Sequence, residues 1–463
     1  MIGCRDRVLI VGGGPAGLHA AWLLQQRGVG DVTVLEAAPR VGGRAHTVHV
    51  DGVQAELGAC FLHNGYHEVR RLVRELDAPS SVPRPGGSAF FAEPFVKPER
   101  CGRARVLLEL YRFVRLRRQW LRPSGQGLIA PPSPDVLALL SRPAAEVLGE
   151  LGFLPTLEGC LRAAHSAQGY GWLERVPLLY VLLWMEPAFL AALVGSMVAW
   201  PLQKRVPSLR DRWGVTHLLP EGFGGLMERL ASRLDADIQL GARVAEVDRD
   251  ADCVSVTYVQ QGQERRVHAD WLVWTASAQA LARVARRPTR LEAELEPHWV
   301  SSTLVSTLYT DESVPRYTGT GRPIAYFLDR AKPGNDRRWF GDRADGCLFS
   351  GQDPRARQHR VAYQYADSPA TAPENAPSAF EDALCRDLSD AGRTQARLVR
   401  RGGHVVQGHH AYHPRLDAGG IRRGAHWELL AHQGAARTFR LGASLWFDSV
   451  EHVLRYNRAV LAA

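Results

Sequence analysis

An apolar run, Val8-Leu-Ile-Val11, is followed by Gly12-Gly-Gly-Pro-Ala-Gly17 and by Leu18–Arg27, whose composition and spacing are those of a helix. Asp31–Glu36 is a second apolar run that ends on an acid. Strand, glycine turn, helix and strand in this order predict a parallel βαβ unit. Cys101–Arg122 reads as a helix with Val106, Leu107, Leu110, Phe113 and Leu116 as its apolar stripe. Around that stripe stand Arg103, Arg105, Arg112, Arg115, Arg117, Arg118 and Arg122, expected to form a solvated face rather than a membrane-surface helix. Val176–Leu202 is the most apolar stretch. Glu186-Pro187 interrupts it, so two buried helices are predicted in place of a membrane span.

Further along, Leu218–Leu226 opens a helix through Leu234, and Ile238–Asp248 reads as one strand. Val254–Val259 and Arg266–His268 predict a short meander. The alternating runs Ser302–Tyr309 and Arg360–Tyr365 fit an antiparallel sheet. Arg437–Ala443 is expected to be a strand and Ser449–Arg458 a helix, N-capped by Ser449 with Glu451 in its first turn.

The first unit carries specific chemistry. Gly12 permits a tight turn, Gly14 lets backbone approach a pyrophosphate, and Gly17 lets the helix pack on the sheet. Glu36 is placed to bind a ribose hydroxyl. Arg40, Gly42, Gly43 and Arg44 follow within eight positions and predict a second anion cradle for an extended cofactor. The Arg40-Val-Gly-Gly-Arg-Ala-His-Thr47 segment, directly after the βαβ unit, resembles the flavin amine oxidase and phytoene desaturase superfamily. That resemblance implies FAD, a Rossmann-type parallel, doubly wound α/β domain, and an α+β substrate domain inserted in two excursions. The expected FAD-binding parts are 1–85, 206–290 and 401–463, and the expected substrate-binding parts are 86–205 and 291–400. Cofactor contacts are expected from Gly12, Gly14, Pro15, Ala16, Gly17, Glu36, Ala37, Gly42, Gly43 and Arg44. The resemblance adds Gly58 and Ala59 beside the flavin, Val244 at the adenine, Ala276, Gly442, and Ser449 with Val450 at the pyrimidine end. Helix-end amides there suit the negative charge that a flavin gathers on reduction.

Composition narrows the partners. Of 57 basic residues only Lys97, Lys204 and Lys332 are lysines, and net charge is +9. No module interleaves basic and aromatic residues, so nucleic acid is not an expected partner. Seven scattered cysteines without CxxC spacing predict neither disulfides nor a metal site. No charged-then-apolar leader precedes the first strand, which makes the cytoplasm the default location.

Candidates for the substrate side are Tyr170, His410, Tyr412 and Trp446, with His409, His413 and, more weakly, His63 and His67. Two departures from the amine oxidase pattern stand out. Many members set a lysine against the flavin from the substrate-domain sheet, but Ser302–Thr307 carries none. No cysteine lies in the C-terminal motif, so FAD is expected to be non-covalent. The reading is an FAD-dependent oxidoreductase that takes hydride from a C–H bond of a small, largely apolar molecule in specialised biosynthesis, with molecular oxygen as a candidate acceptor. The alternatives are a carotenoid- or terpenoid-type desaturase, a flavin-dependent isomerase without net redox change, and a non-enzymatic flavin-binding protein.

Overall fold

The computed structural model describes residues 2–83, 103–124, 128–153, 165, 169–191, 216–250, 252–311, 324–326, 339–343, 347–349, 359–369, 376–390 and 394–461. The opening unit folds as β1 (Arg7–Val11), α1 (Pro15–Gln26) and β2 (Asp31–Glu36). Pro15 starts α1 where its missing N–H costs nothing. Two later segments join the same sheet, β3 (Asp237–Leu240) and β4 (Trp271–Trp274), and Thr438–Arg440 closes its edge. The order is Thr438–Arg440, β4, β1, β2, β3, with every pairing parallel.

Alternation along β1 explains how this sheet is buried on both faces. Val8 and Ile10 pack with α1 residues Ala20, Ala21 and Leu24. Leu9 and Val11 point the other way, to Val247, Val254, Val256 and Tyr258. Each such side chain contributes about 1.5–3 kcal/mol on leaving water. The opposite cover is an antiparallel meander of Arg243–Arg249, Val254–Gln260 and Gln263–Ala269. The single strand expected over 238–248 is therefore two. Gly241, at φ +68°, turns the chain out of the parallel sheet and into the meander.

A second, antiparallel sheet centres on β5 (Trp299–Asp311), flanked by His359–Ala366 and by β6 (Gln407–Leu416). Residues 407–416 thus still belong to this sheet, later in the chain than the 401 return expected from the sequence.

The helices include α2 (His67–Glu75), α3 (Arg103–Trp120), α4 (Leu178–Trp184) and α5 (Val450–Leu461). All seven residues of α4 are buried, while the part of the second apolar run beyond 191 lies outside the described residues. On α3 the stripe residues Leu110 and Phe113 are buried and Arg105, Arg115 and Arg118 are exposed. Arg117 departs from the expected solvated face, being only 8% exposed. Among the described residues no helix is long and apolar enough to cross a membrane. Helix α5 reaches back to the first unit: Asn457 donates to the Ala16 carbonyl at 2.7 Å, 441 residues away in sequence.

Candidate functional site

A cavity of about 600 Å³ runs from the βαβ turn to the antiparallel sheet. One end is glycine and acid: Gly12, Gly14, Pro15, Ala16 and Glu36. Here the two glycine loops meet, since a Cβ on Gly43 would come 3.1 Å from the Gly14 Cα. Glu36 accepts from the Gly13 amide at 2.6 Å and the Ala38 amide at 2.7 Å, which fixes its carboxylate on the cavity wall with lone pairs to spare. The cavity continues past Arg44, Gly58, Ala59, Ala276, Ser449 and Val450 to Tyr170, His410 and Tyr412. An elongated dinucleotide fits this arrangement, with phosphates at the glycine loops and a ring system at the aromatic end.

Several positions expected at the cofactor stand just behind this wall. Gly17 lies against the turn, where a Cβ would sit 1.8 Å from the Gly12 carbonyl oxygen. Gly17→Ala should therefore push α1 off the turn, costing about 1–3 kcal/mol. The flavin-to-protein absorbance ratio of purified enzyme should fall with it; an unchanged ratio would show that the turn tolerates the methyl. Gly42 donates its amide to Gly13, and Gly442 turns the chain beneath Thr275. Ala37 and Val244 are off the wall, and Val244 packs with the meander.

Arg44, expected in the anion cradle, lines the cavity and is also held by the protein. Arg44 forms an ion pair with Asp448 at 2.8 Å and donates to the Ala411 carbonyl at 3.0 Å. Arg40 is spent on the loop itself, donating to the Val41 and Gly43 carbonyls. Asp448 was missed by sequence reading, although it directly precedes Ser449 in the C-terminal motif. It is buried, accepts the His413 amide at 2.7 Å, and its carbonyl accepts from the Tyr170 hydroxyl at 2.9 Å. Burial pushes the Asp448 carboxyl up, against the opposing pull of Arg44 and the His413 amide. Ser449 caps α5 as expected, accepting from the His452 amide at 3.2 Å. Glu451 lies in the first turn of α5 as expected, and it also accepts the Glu68 and Val69 amides at the start of α2.

On the aromatic side, Tyr170 and Tyr412 stack at 5.8 Å between centroids and 15° between planes. Burial drives both phenols up, so both stay protonated. His410 lies within hydrogen-bonding distance of the Leu57 carbonyl, 2.9 Å from Nε2, and burial lowers its pKa to about 4. At neutral pH it is uncharged and ties β6 to the Gly58 segment, a positioning arrangement more than that of a proton acceptor. His413 turns into the core against Tyr170, Tyr180 and Phe447, and the His409 ring meets Phe380. Trp446 is off this cavity altogether, stacked on Tyr456 in the core and lining a different one. Phe61, Tyr66, Trp299, Leu304 and Tyr363 also line the wall.

Just outside the cavity, Glu56 accepts from Thr47 Oγ1 and from the Phe223 amide at the start of the helix Gly222–Ser232. Burial pushes Glu56 up to about 8. These bonds pin the strand that leads into Gly58 and Ala59.

The family model of flavin containing amine oxidoreductases matches residues 15–313. L-amino-acid oxidase of Crotalus adamanteus is 25% identical over 295 residues, which are 61% of this chain and 53% of that protein. Polyamine oxidase 6 of Oryza sativa subsp. japonica is 46% identical over 55 residues, 12% of this chain and 11% of that protein. The matched region therefore spans about half or less of these curated relatives. Among solved structures, the CLA-producing fatty acid isomerase from P. acnes has the same fold, with TM-score 0.74 at 17% identity over 100% of this chain and 99% of that one. Putrescine oxidase bound to putrescine gives TM-score 0.65 at 18% identity over 99% and 98%. The chain belongs to the flavin containing amine oxidoreductase family.

Proposed function

We propose that the enzyme acts on a long, largely apolar molecule at a C–H bond next to a double bond and returns the hydride to the same molecule, so that the double bond moves. The observation that carries this reading is the charge state of the cavity wall. Among the described lining residues, the charged side chains are Glu36, Arg44, Arg283 and Asp448. Each is already bonded within the chain: Glu36 to two amides, Arg44 to Asp448, and Arg283 to Glu296 at 2.9 Å. A cationic amine substrate would find no carboxylate set aside for it. An apolar chain would instead meet Tyr170, Leu304, Tyr363 and Tyr412.

Bound FAD supplies hydride acceptance and return. The protein holds the substrate C–H in place, excludes water with its aromatic wall, and offers no lysine on β5 at 302–307. One carbon loses hydride and the far end of the resulting allylic cation regains it, so mass and oxidation state are unchanged. The likeness in fold to a fatty acid isomerase supports an acyl chain as substrate. A second reading, net oxidation with oxygen as acceptor, is favoured by the oxidase relatives. In that case the division of labour between a FAD-binding part and a substrate-binding part is the same.

Anaerobic incubation of FAD-loaded enzyme with linoleate separates the two. Migration of the double bond with unchanged mass, and flavin left oxidised, is the expected result. Stoichiometric bleaching with a product two hydrogens lighter would replace isomerisation by oxidation. No reaction with linoleate or other polyenes, alongside bleaching by amines, would overturn the substrate class.

A further inference from the structure

A second cavity, about 840 Å³, opens between α3, α4 and α5. Much of its wall is apolar, including Leu121, Leu183, Ala188 and Trp446. Its charged groups are mostly paired. Arg455 binds Glu186 and Glu451, and Arg458 binds Glu68 at 2.7 Å. The Glu451 carboxylate is further held by the α2 amides.

Arg117 is the exception. It lines the cavity at 8% exposure, and its Nε donates to the Leu182 carbonyl at 2.7 Å. Among the described residues its Nη1 and Nη2 have no hydrogen-bond partner, and it joins no ion pair. Glu186 is committed to Arg455 and lies 3.5 Å from His452 Nε2. The Glu186 charge acts on Arg117 through space without an ion pair, and the fork of Nη1 and Nη2, open to the cavity, matches two oxygens of one carboxylate.

We propose that this cavity is a second ligand site, which takes an amphipathic monoanion: a carboxylate gripped by the Arg117 fork, with an apolar body along Leu121, Leu183 and Trp446. The site itself stands whatever reaction the first cavity carries out, and only its identification with one end of that cavity's substrate rests on the proposed function. Its ligand is either the carboxylate end of the molecule turned over there or a separate effector of the same chemistry.

Calorimetric titration of the FAD-loaded enzyme with decanoate and with decanol tests this. Decanoate should bind at least tenfold more tightly than decanol, without shifting the flavin absorption bands. Arg117→Met should weaken decanoate at least roughly tenfold, the worth of a charge-assisted pair, and leave decanol unchanged. Arg117→Lys should fall between. Ala188→Phe, which fills the cavity without touching the charge, should weaken both ligands, and it carries the test should the Arg117 variants fail to fold. Equal affinity for the two ligands, undiminished decanoate binding in Arg117→Met or Ala188→Phe, or a flavin shift that survives in Arg117→Met would each overturn the proposal. Competition between decanoate and substrate would identify the end of the same molecule; altered turnover without competition would identify a separate effector.

Discussion

Glu292→Ala is expected to lower stability by about 3–5 kcal/mol. Glu292 bridges Arg249, at 2.7 and 3.0 Å, and Arg440 Nε at 3.0 Å. The side chains of these residues are 4%, 1% and 3% exposed, so water cannot replace the missing charge. The three come from the helix Arg290–Leu295, the meander and the last strand of the parallel sheet. Two cations share one anion here, so its removal strands both. Burial alone would raise the Glu292 pKa, but Arg249 and Arg440 hold it down to about 2. A carboxylate depressed in the folded state stabilises fully above its unfolded pKa, near 4.5. That contribution fades as pH falls from there towards 2. Urea unfolding at neutral pH measures the first effect, and the same titration between pH 5 and 3 the second. A loss under about 1 kcal/mol, or acid stability unchanged in the variant, would mean the cluster is no keystone.

Asp448→Ala is expected to cost about 2–4 kcal/mol. The His413 amide would lose its acceptor at a buried position where the backbone already sits at φ +46°. Arg44 would lose its ion pair, at lower cost because its side chain is 31% exposed. Asp448→Asn keeps a carbonyl for the amide but not the charge, so about 1 kcal/mol is expected from it. The gap between the two variants measures the hydrogen bond; equal losses would assign the whole effect to charge. Both are read by thermal unfolding of the FAD-loaded enzyme, together with the ratio of flavin to protein.

Local order was the legible part of this molecule. The strand, glycine turn, helix and strand of residues 7–36 could be read because each element carries its own period and its own breaker. The second glycine loop was legible for the same reason. Side-chain direction was not. Arg44 reads as a phosphate ligand, and only the fold shows that Asp448, distant in sequence, lies beside it. Trp446 sits next to the Ser449 cap, yet the turn before α5 sends its ring into the core. Arg117 belongs to a run of seven arginines, and only the packing of α3 on α4 singles it out. Gly241 turns the chain at φ +68°, but the apolar residues on both sides suggested one continuous strand.

The bond between Asn457 and the Ala16 carbonyl also has a meaning in time. Synthesis proceeds at about 5–20 residues per second, so the glycine loop waits roughly 20 to 90 seconds for its partner helix. Until α5 arrives, one wall of the FAD cavity, with Val450 and Val453, is open. Cofactor capture is therefore a late event in the life of the chain, and ribosome-bound intermediates should emerge colourless.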